Sequence, residues 1–215
     1  MGTSSNGRLF ALSLAFLGAV GPARGGLAQA DEPRTVAVAT SPLTPPTLRA
    51  LFLDLYGRPP FESERAVWLG QPRAQLVEEA LSAPEVWRNW LEEQLYYFFL
   101  IDNFRPETER IAGLPDALAA GKLDVRTATH RIALTPSFDH RNPGADTFVT
   151  VVMEQLTGLR VQRNPRELEI GKGIYDGRPG LFLGRSGSTQ ADIVAIALQD
   201  ARFAQTFVER EYRRL

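Results

Sequence analysis

The chain has 215 residues, no cysteine, 24 basic and 25 acidic residues, and a formal charge of −1. Lack of cysteine excludes disulfides, thiolate metal sites and covalently attached haem. With no disulfide available, stability must come from packing, and lack of a basic block excludes the electrostatic footprint of a nucleic-acid or anionic-membrane binder.

In chain order, residues 1–30 carry the three parts of a secretory signal: a polar start with Arg8, an apolar run from Leu9 to Val20, and a small-residue stretch ending Ala28-Gln29-Ala30. Cleavage is expected before Asp31, releasing a periplasmic or secreted product. The run is shorter than the roughly 20 apolar residues of a membrane span. No cysteine follows it, so a lipid anchor on an acylated cysteine is excluded. Residues 31–46, rich in Pro, Thr, Ser and Ala without a hydrophobic period, predict a linker before a helical domain over 47–215.

Thr44 followed by Pro45 and Pro46, then Leu48, Leu51, Phe52 and Leu55 at helical spacing, predicts a first helix that Gly57 stops. Short helices are expected over 62–69 and 72–81. Ser82-Ala83-Pro84-Glu85 has the form of a capping box opening a long helix to Phe104. Further helices are expected over 115–120, 124–134, 146–157 and 165–175, the last capped by Asn164, with a loop over 137–144. The Gly-rich stretch 178–188 reads as a surface loop in which Leu181-Phe182-Leu183 is either a short strand or buried chain. Helices over 189–198 and 201–215 close an all-α, compact multi-helix bundle.

Self-comparison suggests two related helical halves, 47–104 and 147–215. Leu51 to Gly57 followed by Glu64 parallels Val151 to Gly158 followed by Glu167, and Ala80-Leu81 with Trp87 and Trp90 parallels Ala197-Leu198 with Phe203 and Phe207.

The run Leu51-Phe52-Leu53-Asp54-Leu55-Tyr56-Gly57-Arg58-Pro59-Pro60, then Glu64, the Leu81-Ser82-Ala83-Pro84 turn and Trp90-Leu91, resembles the planctomycete cytochrome-associated domain of unknown function. The Leu-Tyr-Gly-Arg-Pro run with Trp68 is also similar to a short helical repeat of unknown function in secreted bacterial proteins. The first resemblance covers roughly 47–104. It departs from the family in having Phe61 where a capping threonine is usual, and in lacking the Cys-x-x-Cys-His haem segment that often accompanies such domains. What the resemblance implies is an extracytoplasmic helical module without a defined reaction.

Few residues offer chemistry. His130 and His140 are the only histidines, and His140 beside Asp139 in the expected loop is a candidate metal or acid–base pair. His130, in mid-helix, is expected at the surface. Gly184-Arg185-Ser186-Gly187-Ser188 lacks the final glycine and the strand-to-helix frame of a nucleophile elbow. Asp54, Glu62 and Glu64 lack the dense ligand loop of a calcium site and are better explained by helix capping.

Val86, Trp87, Trp90, Leu91, Leu95 and Phe98 recur at three- and four-residue spacing and predict one buried stripe. The run 96–101 is apolar around its whole circumference, so either another helix covers it, or Tyr96, Tyr97 and Phe99 stay exposed as an aromatic anchor for a partner. The leading reading is therefore an exported, non-enzymatic interaction or scaffolding module, with an extracytoplasmic protein as partner and no cofactor. The alternative is a metal-dependent or hydrolytic enzyme using the His140/Asp139 loop.

Overall fold

Eleven α-helices and one short hairpin make up the described residues, 41–98 and 110–214, of the computed structural model. Residues 1–40, 99–109 and 215 lie outside them, as do the side chains of Tyr97, Phe98 and those beyond Arg210. The fold is helical, as the periodicities predict, and no helix among the described residues is long and apolar enough to cross a membrane. The chain divides between Leu81 and Ser82 into two units.

The first unit holds α1 (Pro45–Tyr56), α2 (Glu62–Trp68) and α3 (Arg73–Leu81). Pro45 and Pro46 occupy the first turn of α1, where a missing N–H costs nothing. Gly57 ends it in the left-handed conformation, φ 67° and ψ 9°, and donates its N–H to the Leu53 carbonyl. Thr44 holds the cap position, but its hydroxyl meets the Thr47 hydroxyl at 2.9 Å instead of capping the backbone. Leu43, Leu48, Leu51, Phe52 and Leu76 form the core, with Tyr56 and Trp68 against it. Of the segment read as linker, residues 41–46 thus belong to the fold. Leu43 is buried, donating its N–H to Gln71 and accepting from Gly70. One core residue held by backbone pairing leaves no period to read.

The second unit begins with α4 (Pro84–Glu93), which continues as a π-helical turn over Gln94–Phe98. Ala83 precedes its first turn and Pro84 fills the first helical position. Then come α5 (Leu114–Ala119), α6 (Val125–Ala133), α7 (Pro136–Arg141) and α8 (Ala145–Thr157). The loop expected over 137–144 is replaced by α7 as far as Arg141. The Thr135 hydroxyl accepts the Phe138 N–H at 3.2 Å and Pro136 fills the first helical position, so the proline that stops α6 also starts α7. Phe138 is wholly buried and meets Phe148 edge-on at 5.8 Å. A six-residue helix with one core residue has too few turns to show a period.

After a 3₁₀ turn (Val161–Arg163) come α9 (Pro165–Tyr175), strands β1 (Gly180–Phe182) and β2 (Arg185–Gly187), α10 (Gln190–Gln199) and α11 (Ala201–Arg214). Helix α8 buries Phe148, Val149, Val152, Met153, Leu156 and Thr157 and lies against α9, α10 and α11. The stretch 178–188 is an antiparallel hairpin with Leu181 opposite Ser186 and Phe182 opposite Arg185. It is both strand and plug: Phe182 is wholly buried, and Leu181 on the other face is 60% exposed. Gly171 makes room for Phe182, because a Cβ there would sit 2.8 Å from Val149 Cγ1 and 3.2 Å from the Phe182 ring.

The two stretches that parallel each other in sequence do so in local structure. Gly158 ends α8 at φ 67° and ψ 5°, nearly the angles of Gly57. Counting back from each glycine, Leu48, Leu51 and Phe52 fall level with Val149, Val152 and Met153, all buried. Glu64 and Glu167 each take the third position of the following helix.

Candidate functional site

Asp139 and His140 lie on α7, not in a loop. The Tyr175 hydroxyl donates to Asp139 Oδ1 at 3.2 Å, which engages that carboxylate in tying α7 to α9. Burial, then the Asp139 charge and hydrogen bond, push the Tyr175 pKa up, while Gln190 opposes this at the same hydroxyl. His140 is exposed. His130 is half-buried rather than superficial, its Nε2 lying 3.3 Å from the Ala191 carbonyl oxygen on α10. Helical periodicity placed it on the outside of α6, but α10 packs over that flank. Among the described residues no group of three or more His, Asp or Glu side chains is arranged to hold a metal.

The Arg58-Pro59-Pro60 turn closes on itself. Arg58 makes two parallel 2.9 Å bonds to the Glu64 carboxylate, and its guanidinium stacks 4.1 Å from the centre of the Phe61 ring, with the Tyr56 and Phe52 rings at 5.3 and 5.7 Å. Glu64 also accepts the Phe61 N–H at 2.7 Å. The Arg58 hydrogen bond holds the Glu64 pKa below the usual carboxylate range, against the opposing effect of burial. This is a structural clasp: the Phe61 ring seats the arginine while Glu64 accepts the Phe61 N–H.

Ser186 lies on the exposed strand β2 opposite Leu181, in no strand-to-helix turn.

The aromatic helix has the predicted stripe, with Val86, Trp87, Trp90, Leu91 and Leu95 buried and the two tryptophans edge-to-face at 5.9 Å. The π-turn then changes the face each residue presents. Gln94 is buried and accepts from Arg210 of α11 at 2.7 Å, while Tyr96 is 64% exposed. Of the three anchor candidates, the side chain of Tyr97 and the whole of Phe99 lie outside the described residues.

One cleft of about 500 Å³ was not anticipated from the sequence. It is bounded by the turn after Gly158, the first turn of α9, the hairpin tip and Arg202 of α11. Its walls carry three arginines (Arg160, Arg163, Arg202), three apolar side chains (Leu159, Val161, Leu183) and the carboxylate of Glu167. Arg202 is fixed by Asp200, Nε to Oδ1 at 2.8 Å and Nη2 to Oδ2 at 2.6 Å, and the Arg202 hydrogen bond holds the Asp200 carboxyl below its usual range. Arg160 lies 3.4 Å from Glu154 in an open, exposed pair. Among the described residues Arg163 has no ion-pair partner. The only sequence signal for this cleft is the run 158–166, which holds three arginines and no acid.

The fold and these sites define a cysteine-free, mostly helical protein with a small inserted hairpin. Compared with protein-family models, curated proteins and solved structures, the chain matches none.

Proposed function

We propose that this is an exported, non-enzymatic interaction or scaffolding module whose partner is an extracytoplasmic protein. The observation that carries the reading is Tyr96. It is a large aromatic side chain 64% exposed on a π-turn whose neighbours Gln94 and Leu95 are buried. Tyrosine held on a rigid element is the residue type that interfaces use as an anchor. The Tyr175 bond to Asp139 gives that carboxylate a structural task, which favours this reading over a reaction at Asp139 and His140.

A photo-crosslinking side chain at Tyr96 tests the proposal in the native envelope fraction. A discrete adduct at Tyr96, absent when the probe replaces exposed Lys122, is expected; equal labelling at both positions, or none at Tyr96, overturns it. Because Tyr96 is exposed, Tyr96→Ser should change stability by no more than about 0.5 kcal/mol while weakening the adducted complex.

The same proposal takes residues 1–30 as a cleaved signal. Mass spectrometry of the exported protein should then show an N-terminus at Asp31, and an intact Met1 would refute export by this route. It also takes the two halves as related copies of one helical module, in keeping with the resemblance of 47–104 to extracytoplasmic helical domains. The level buried positions before Gly57 and Gly158, and the third-position Glu64 and Glu167, support that relation.

A further inference from the structure

The turns that follow Gly57 and Gly158 have parallel settings and opposite outcomes. After Gly57 the arginine is consumed: Arg58 is bonded twice to Glu64 and packed on three rings. After Gly158, Glu167 instead accepts the backbone N–H of Leu183 at 2.9 Å, so the inserted hairpin takes the place of the arginine. The arginines of this turn are left facing a cleft.

Three features of the cleft point to one kind of ligand. First, Arg160 precedes and Arg163 ends the 3₁₀ turn Val161–Arg163, the Arg163 N–H donating to the Arg160 carbonyl at 3.0 Å, and both arginines line the cleft. Arg202 adds a third from α11, oriented by its fork to Asp200. A guanidinium has five N–H donors, and the two committed to Asp200 leave others to spare. The Glu154 pair at 3.4 Å is exposed and of little energetic consequence, so an incoming anion competes with it readily. Second, Leu159, Val161 and Leu183 give the cleft an apolar wall, and its volume lies in the range of small-molecule sites. Third, Leu183 is a bulky residue with φ 49° in a two-residue turn whose other member, Gly184, has φ 78°. Such a turn favours Asn-Gly, and a leucine there is strained. The Glu167 bond holds it in place on the cleft wall.

We propose that this cleft binds a small organic oxyanion, a carboxylate or phosphate monoester with an apolar body. The arginines take the anionic end and the Leu159, Val161 and Leu183 wall takes the body. This site is separate from the Tyr96 surface, and the two proposals stand or fall independently.

Calorimetric titration of the purified protein with benzoate, phenyl phosphate and inorganic phosphate, at matched ionic strength, tests the site. Benzoate or phenyl phosphate is expected to bind with a Kd of about 1 mM or tighter. The double variant Arg160→Gln, Arg163→Gln changes exposed side chains, so its melting temperature should hold while affinity falls roughly tenfold or more. If the double variant does not fold, Arg163→Gln alone is read for the same loss. Leu183→Asn, which suits the turn better, should keep the fold and weaken the two aromatic anions selectively. No binding of any probe up to about 10 mM, or undiminished affinity in the arginine variant, overturns the site. Inorganic phosphate binding as tightly as phenyl phosphate overturns the role of the apolar wall.

Discussion

Arg58 and Gly171 show how single residues are set by their neighbours. Arg58 combines a bidentate carboxylate bond with ring stacking, and both demand a planar guanidinium. Arg58→Lys should therefore lose most of what Arg58→Ala loses. We expect the alanine variant to cost about 1–2 kcal/mol in urea unfolding, the low end of the range for hydrogen bonds to charged groups because the site is partly exposed and solvent screens it. Gly171 and Gly173 form a pair with opposite expected signs. Alanine at either gains up to about 1 kcal/mol of helix propensity. At Gly171 its Cβ would overlap Val149 at 2.8 Å, and overpacking of about 1–3 kcal/mol outweighs the gain. At Gly173 the nearest atom is on Arg178 at 3.8 Å, so the gain stands. Thermal melts should show Gly171→Ala lowered and Gly173→Ala raised.

The exposed Leu181 and buried Phe182 alternate as a strand requires, yet two strands of three residues are marginal by themselves, and Phe182 anchors them to the helices. Phe182→Ala should cost about 3–5 kcal/mol, whereas Leu181→Ser should stay within about 0.5 kcal/mol. Asp192 then binds the hairpin exit to α10. Its carboxylate accepts the N–H groups of Ser188 and Thr189 and the Thr189 hydroxyl, while that hydroxyl accepts the Asp192 N–H. Most elements were legible in the sequence because cap, proline and glycine signals coincided with a hydrophobic period, as in α1, α8 and α9. Helix α7 escaped because a proline reads equally as an end or a beginning, and only Thr135 facing Phe138 decides which. The π-turn that continues α4 escaped because it breaks the very period used to read a helix, while the end expected at Phe104 lies outside the described residues.

Among the described residues, three carboxylates have depressed pKa values. Glu64 is held down mainly by Arg58, Asp192 by the Ser188 N–H and then Thr189, and Asp200 by Arg202. A carboxyl whose folded pKa lies below its unfolded value, about 3.9 for Asp and 4.3 for Glu, binds more protons when unfolded, so stability rises with pH in that range. The contribution is complete above the unfolded values and is lost as pH falls through the depressed folded ones. Melting temperature should change little from pH 7 to 5 and drop below about pH 4. Glu64→Gln should be less stable than the parent at pH 7, and the gap should close on acidification. The first unit rests on the small core around Leu48, Phe52 and Leu76. A core on so few residues stabilises weakly, so hydrogen exchange in residues 41–81 should report openings of lower free energy than in α8 and α10. Equal protection throughout would contradict that expectation.

From the sequence alone came the helical class, the stops at Gly57 and Gly158, the buried stripe of α4 and the two glutamates that follow the glycine turns. These depend on propensity, spacing and capping within one or two turns of chain, and the chain carries that information locally. Tertiary structure alone decided that Asp139 serves Tyr175, that His130 meets Ala191, that Phe182 is core while Leu181 is not, and that Arg58 is spent while Arg160, Arg163 and Arg202 share a cleft. In each case the partner lies on another element or the burial depends on packing against one, and no period along the chain records which partners the fold will bring together.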